Sequence, residues 1–155
     1  MGVELSEEKI WRAVAEAPTG IVTTLRQDGW PVALPVWFAV LAGEIYFRSP
    51  ATSKKVARIQ RDPRASFLVE SGENWRELRA VSLSATATVV SDLDLVEQAL
   101  AALARKYDGR RQSRSTLPEA TVRHYEHGGT AVIRLHPVGR PISWDNRRIA
   151  PKAPS

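Results

Sequence analysis

Three hydroxyl residues and two lysines gather in Phe47-Arg48-Ser49-Pro50-Ala51-Thr52-Ser53-Lys54-Lys55, where a strand-like run gives way to a helical pattern. Ser49, Thr52 and Ser53 offer hydroxyl donors, and Lys54 and Lys55 supply compact positive charge. The first amides of a helix point outward unpaired at its positive end, so residues of these types at this spacing suit a phosphate group. The plain alternative is a solvated, lysine-rich first turn. Lysines there are mildly unfavourable against the helix dipole, however, so two of them favour a compensating anion. The chemistry to expect is anion capture, as in a cofactor-binding protein.

The elements that must hold this cluster follow from hydrophobic period and turn residues. Ser6 with Glu7 and Glu8 starts a short amphipathic helix whose face is Ile10, Trp11, Val14 and Ala17, and Pro18 stops it. Gly20 to Arg26 and Trp30 to Val40 read as strands joined at Asp28-Gly29, and Glu44 to Arg48 follows as a third strand of a meander. Ser53 to Arg61 is helical, with Val56 and Ile59 inward, and Asp62-Pro63 ends it. Ala65 to Glu70 is a compact strand. Glu77 to Val90 alternates Val81, Leu83, Ala85, Ala87 and Val89 against Ser82, Ser84, Thr86 and Thr88, the clearest period of two in the chain. Asp92 to Tyr107 is the best helix; a polar loop over Arg110 to Ser115 and a short helix over Pro118 to His127 come next. Thr130 to His136 closes the sheet, and a proline- and arginine-rich tail begins at Pro137. The expected fold is mainly β (α+β): six antiparallel strands in a closed or half-closed barrel with flanking helices.

Composition sets the bounds. The 155 residues, 43% of them hydrophobic, suit one domain over 1–155 with a proper core. The absence of cysteine excludes disulfides, thiolate metal sites and a cysteine nucleophile, and agrees with a cytoplasmic location. Met1 to Ile10 carries three Glu, one Lys and no apolar run, which fits neither a signal peptide nor a membrane segment. The net charge of +5 raises the question of nucleic acid. Its basic runs, Lys54 to Arg64, Arg105 to Arg114 and Arg140 to Arg148, lack the aromatic interleaving of a single-strand platform, so an anionic small molecule is the expected partner. His124 and His127 stand three apart without a third ligand at metal spacing, and no metal site is expected; His136, at a strand end beside Pro137, reads as structural. The small polar face of Ser82, Ser84, Thr86 and Thr88 reads as solvated or dimer-facing.

The run Phe47-Arg48-Ser49, Ser53-Lys54-Lys55, Ile59 and Asp62-Pro63-Arg64 resembles the flavin-phosphate motif of the pyridoxamine 5′-phosphate oxidase-like split-barrel family, and the resemblance covers about residues 18 to 136. It implies a split barrel, an FMN-type cofactor and a homodimer with that cofactor at the subunit interface. Oxidases of the family carry an arginine and a lysine on the second strand, both gripping the FMN phosphate. Here Pro31-Val32-Ala33-Leu34-Pro35-Val36-Trp37-Phe38 holds no basic residue. That strand looks instead like the branch using the deazaflavin coenzyme F-420, whose phosphodiester needs fewer phosphate contacts and whose polyglutamate tail needs scattered positive charge.

On this resemblance Ser49, Ser53, Lys54 and Lys55 contact phosphate, and Leu34, Pro35 and Val36 line the ring through their backbone. From the residues themselves, Trp37, Trp75 and Trp144 are candidate ring walls because each sits at a strand end or loop, and Thr52 is a further hydroxyl contact of the cluster; each tryptophan has simple packing as its alternative reading. The cofactor brings the hydride chemistry, so no catalytic side chain is assigned. The expected activity is reduction of a small unsaturated or quinone-like molecule by an F-420-dependent oxidoreductase. FMN as cofactor, and a non-catalytic module carrying a cofactor or haem, are the alternatives.

Overall fold

The computed structural model describes residues 3–110, 118–120 and 129–152. Glu7–Glu16 forms α1, and Gly20–Leu25 (β1) and Pro31–Val36 (β2) form an antiparallel hairpin. Gly29 takes the positive φ of its turn, and Asp28 accepts the Trp30 amide at 3.1 Å. Phe38–Leu41 (β3) and Glu44–Pro50 (β4) form a second hairpin, then Lys54–Arg61 is α2. Arg64–Ser71 (β5), Arg79–Val89 (β6), Leu93–Lys106 (α3) and Thr130–Asp145 (β7) complete the chain, with single 3-10 turns at Trp75–Glu77 and Asn146–Arg148. Ser6 precedes α1 as expected, but its hydroxyl makes no capping bond.

The sheet has seven strands in the order β2-β1-β5-β6-β7-β4-β3, all pairs antiparallel. Where the sequence suggests six strands, the run Trp30 to Val40 divides at Trp37. Its first half pairs with β1 and its second half with β4, at opposite edges of the sheet. Two strands consecutive in the chain yet terminal on opposite edges force the sheet to curl until those edges meet, which is the barrel. Pro31 and Pro35 lie on the edge strand β2, where a missing amide costs no interior ladder bond. The last strand also differs from expectation: it continues past Pro137 to Asp145 through a bulge opposite Ser82 to Ser84, where Gly139 has a φ of 71°.

Alternation along the strands fills the barrel. Val22, Phe38, Ile45, Phe47, Phe67, Val81, Leu83, Ile133 and Leu135 point inward, and α1 and α2 plug the interior with Ile10, Ala13, Val14, Val56 and Ile59. On the outer face, α3 covers Ala39, Tyr46 and Val132 with Ala99, Ala102, Leu103 and Tyr107. Ser84 and Thr86 of β6 are exposed, and Ser82 and Thr88 half-buried, on the outward side of that strand.

Side chains from the end of α3 hold the seam at Trp37. The Tyr107 hydroxyl accepts the Phe38 amide at 3.0 Å, and its one proton is shared between the carbonyls of Pro18 at 2.9 Å and Phe38 at 3.2 Å. Beside it the Lys106 ammonium sits 3.6 Å above the Phe38 ring, buried and without a hydrogen-bond acceptor. Burial, and secondly the charge of Arg110, lower its pKa from 10.5 to about 8.

Two outcomes test this packing. A Cβ at Gly20 would overlap the Phe67 ring and lie 3.2 Å from Phe38. Gly20→Ala should therefore cost about 1 to 3 kcal/mol in urea unfolding, and a loss within error would contradict the closed interior. For Lys106, the unfolded chain binds more protons than the folded one between pH 8 and 10.5, so its contribution to stability is full above that window and is lost as pH falls through it. Lys106→Met should melt above wild type at pH 7, with the gap narrowing toward pH 10; a gap independent of pH would show that the ammonium carries no burial penalty.

Candidate functional site

The cluster at the β4–α2 junction assembles as a compact cradle. β4 turns Phe47 and Ser49 into the barrel and ends at Pro50, whose carbonyl accepts the Ser53 amide at 2.9 Å. Ser53 is the N-cap of α2: its extended backbone presents Oγ to the Val56 amide at 3.3 Å. The same Oγ lies 3.0 Å from Ser49 Oγ, which is buried, so the two hydroxyls and the open end of the helix form one polar wall. Thr52 is exposed beside them.

Positive charge surrounds that wall. The first turn of α2 contains no acidic residue, and neither Lys54 nor Lys55 joins the ion pairs of the described residues. Lys55 lies half-buried with Nζ 5.6 Å from the centroid of the Phe47 ring, and burial first, then the Arg58 guanidinium, hold its pKa below the usual lysine value. An anion beside Lys55 would offset both effects. Residues 54, 58 and 61 share a face of α2, and with the β1–β2 turn they line a groove of about 560 Å³ that sets Arg26, Lys54, Arg58 and Arg61 against a single carboxylate, Asp28. Arg58 Nε donates to the buried Thr24 hydroxyl at 2.9 Å and Arg61 to the Leu25 carbonyl at 2.9 Å, so both guanidinium groups are tethered in place.

The ring-wall candidates separate. Leu34 and Pro35 are exposed along edge strand β2, whereas Val36 is buried. Trp37 is 42% exposed at the seam, its indole stacked on Tyr107 with centroids 4.3 Å apart and planes 3° from parallel. Since Phe38 pairs with Phe47, extending that register sets Trp37 opposite Arg48, and alternation turns its indole to the outer face with Tyr107 while Ser49 faces the interior. Trp75 and Trp144 lie at the other end of the sheet. Trp75 is exposed on its 3-10 turn, its carbonyl accepting Asn146 Nδ2 at 2.7 Å, and Trp144 is half-buried inside β7 opposite Ala80. One copy of the chain thus brings Ser49, Thr52, Ser53, Lys54 and Lys55 together, sets Trp37 at the seam on the outer face, and leaves Trp75 and Trp144 at the far end.

Sequence reasoning left out Arg58, Arg61, Lys106 and Tyr107 as site residues. The i, i+4, i+7 spacing of Lys54, Arg58 and Arg61 was a legible signal of one basic helix face. Tyr107, the residue that ends α3, gave none, because its partners are 69 and 89 positions away. His136 Nδ1 lies 3.1 Å from Glu44 Oε2 on the barrel exterior. The pair His124 and His127, and most of the Arg110 to Arg114 loop, lie outside the described residues; among the described residues no three His, Asp or Glu side chains converge.

A family model described as pyridoxamine 5′-phosphate oxidase matches residues 6–144. Among solved structures, a conserved hypothetical protein from Mycobacterium tuberculosis is similar at 28% identity and a TM-score of 0.78, over 98% of this chain and 93% of that one. An FAD-binding protein from Mesorhizobium loti aligns at 19% identity and TM-score 0.66, covering 90% and 93% of the two chains. The heme storage protein HutZ from Vibrio cholerae aligns at 15% identity and TM-score 0.69, covering 93% and 96%. At those identities the last two share the fold alone. No curated protein matches this chain.

The cap and the cradle are separable by substitution. Ser53→Ala should cost about 1 kcal/mol through the lost N-cap, whereas Ser53→Asp retains the cap and should leave the melting temperature near wild type. Equal destabilisation by both variants would refute the capping assignment.

Proposed function

Because the chain belongs to the pyridoxamine 5′-phosphate oxidase-like split-barrel family, we propose that it is a deazaflavin-dependent oxidoreductase, using coenzyme F-420 to reduce a small unsaturated or quinone-like molecule. One observation carries the choice of cofactor. The cradle has two lysines and two serine hydroxyls, while the neighbouring strand β2, Pro31–Val36, contributes no cation. That supply of charge matches a phosphodiester better than the doubly charged FMN phosphate.

The residues present fit such a group. Lys55 is a partly desolvated ammonium in no ion pair among the described residues, and a phosphodiester at the N-terminus of α2 would supply an anion. Lys54, Lys55, Ser49 and Ser53 would hold that phosphodiester, with Thr52 at its rim. The tethered Arg58 and Arg61 offer the scattered positive charge that an acidic tail needs, whereas Arg26 is ion-paired with Asp28. Leu34, Pro35 and Val36 would border the ring through their backbone, and Trp37 would wall it. Trp75 and Trp144 enter the same site only if a second copy brings them there, which accords with a homodimer whose cofactor lies between subunits.

When bound, a reduced deazaflavin supplies a hydride to the acceptor, and water supplies the proton that completes the reduction. The chain's own tasks are to bind and to orient: the cradle would fix one end by charge, and the apolar edge of β2 with Trp37, exposed in a single copy, would border the other. The described residues include no helix long and apolar enough to cross a membrane, and we place the protein in the cytoplasm, where a diffusible cofactor and small substrate are met.

FMN is the second reading, supported by the fold shared with an FAD-binding protein; the likeness to a heme storage protein keeps a carrier role as a third. Titration of one purified sample with F-420 and with FMN, followed by fluorescence, distinguishes them. We expect F-420 to bind at least tenfold more tightly, and Lys55→Ala to weaken it about tenfold, near 1.4 kcal/mol. Tighter FMN binding would favour the second reading, and no binding of either would remove the function.

A further inference from the structure

The seam residue Trp37 is unusual in being both exposed and immobilised. Its indole lies flat on Tyr107, 4.3 Å between centroids and 3° between planes, while the residue stays 42% exposed. Tyr107 is itself 1% exposed and tied through one hydroxyl to Phe38 and Pro18, the two chain segments that meet at the seam. Lys106 packs against the rings of Phe38 at 3.6 Å and Tyr107 at 5.4 Å from behind. An exposed indole on a mobile loop loses conformational freedom when a ring stacks on it; here that ordering is complete before any ligand arrives.

We propose that the free face of Trp37 is the stacking platform for the cofactor's conjugated ring, and that Tyr107 is the positioning residue that holds the platform flat. The inference rests on the cofactor reading above and assigns to the last turn of α3 a part in it that the phosphate motif does not contain. In the extended register Trp37 stands opposite Arg48 with its indole on the outer face beside Tyr107, whereas Ser49 faces the interior, so a ring on the platform and a phosphate on the cradle must belong to a ligand that crosses the rim of the barrel at the end of β4. Stacking of a conjugated ring on an aromatic side chain is worth about 1 to 3 kcal/mol, enough to move affinity about five- to 150-fold.

Phosphate-free 5-deazariboflavin and riboflavin, which carry the ring without the anion, probe the platform apart from the cradle. Each is titrated alongside F-420 and FMN into wild type, Trp37→Leu, Tyr107→Phe and Tyr107→Leu, reading affinity and the fluorescence of the bound ring. Wild type and Tyr107→Phe, which keeps the stacked ring, should quench the bound ring strongly. Trp37→Leu and Tyr107→Leu should lose the quenching and bind about tenfold more weakly, while Lys55→Ala weakens F-420 or FMN but not the phosphate-free rings. Trp37→Leu is a change at a half-exposed position and carries the test should Tyr107→Leu fail to fold. Unchanged affinity and quenching in Trp37→Leu would overturn the platform and leave the cofactor assignment standing. Failure of wild type to bind F-420 or FMN would remove both.

Discussion

Everything in this molecule depends on a chain crossing from one edge of its sheet to the other at a single residue. β2 and β3 are consecutive in sequence and terminal in the sheet, so the barrel closes at Trp37. None of the strand pairs joins β2 to β3. The closure rests on side chains, and the Tyr107 hydroxyl meets the Phe38 amide and reaches the carbonyls of Phe38 and Pro18. Strand groups at an open edge lose their ladder partners, and a buried phenol restores part of that loss at the point of greatest curvature. With the seam shut, Phe38, Phe47 and Phe67 have a dry interior to fill, and the edge-to-face contact of Phe38 with Phe67 at 4.8 Å occupies the space that Gly20 leaves open.

The second consequence is electrostatic. α2 plugs the barrel with Val56 and Ile59 and turns its remaining faces outward with Lys54, Lys55, Arg58 and Arg61, while its first turn contains no carboxylate. Charge of one sign at the positive end of a helix is unfavourable without an anion, and partial burial of Lys55 adds to the cost. A surface built only for solubility would intersperse both signs. Several other cations among the described residues are paired in that manner: Arg12 with Glu8, Arg64 with Asp62 and Arg147 with Asp145. The contrast between those pairs and the lysines of α2 is the physical ground for reading the cradle as a binding site.

Much of this was legible in the residues. The period of two in Arg79–Val89, the hairpin at Asp28-Gly29, the Ser53 cap and the inward pair Val56 and Ile59 all lie where local rules place them, because each depends on neighbours within a few positions. Three features did not yield. The run Trp30 to Val40 reads as one strand, since alternation carries no mark of which edge each half will join. The prolines at 137 and 141 read as a stop, although a bulged strand tolerates them as far as Asp145. Tyr107 reads as the last apolar residue of a helix face, and only the tertiary fold shows what its hydroxyl meets. The tryptophans illustrate the same limit: composition offers Trp37, Trp75 and Trp144 alike, and topology sets one at the barrel seam and two at the far end.

The most direct test of the central claim, that one phosphate-bearing redox cofactor spans the α2 cradle and the barrel seam, is hydrogen exchange of the backbone amides with and without F-420. Exchange should slow in two segments together, residues 53–57 at the start of α2 and residues 36–38 at the seam. Protection confined to other strands, or an exchange pattern unchanged by saturating cofactor, would contradict it.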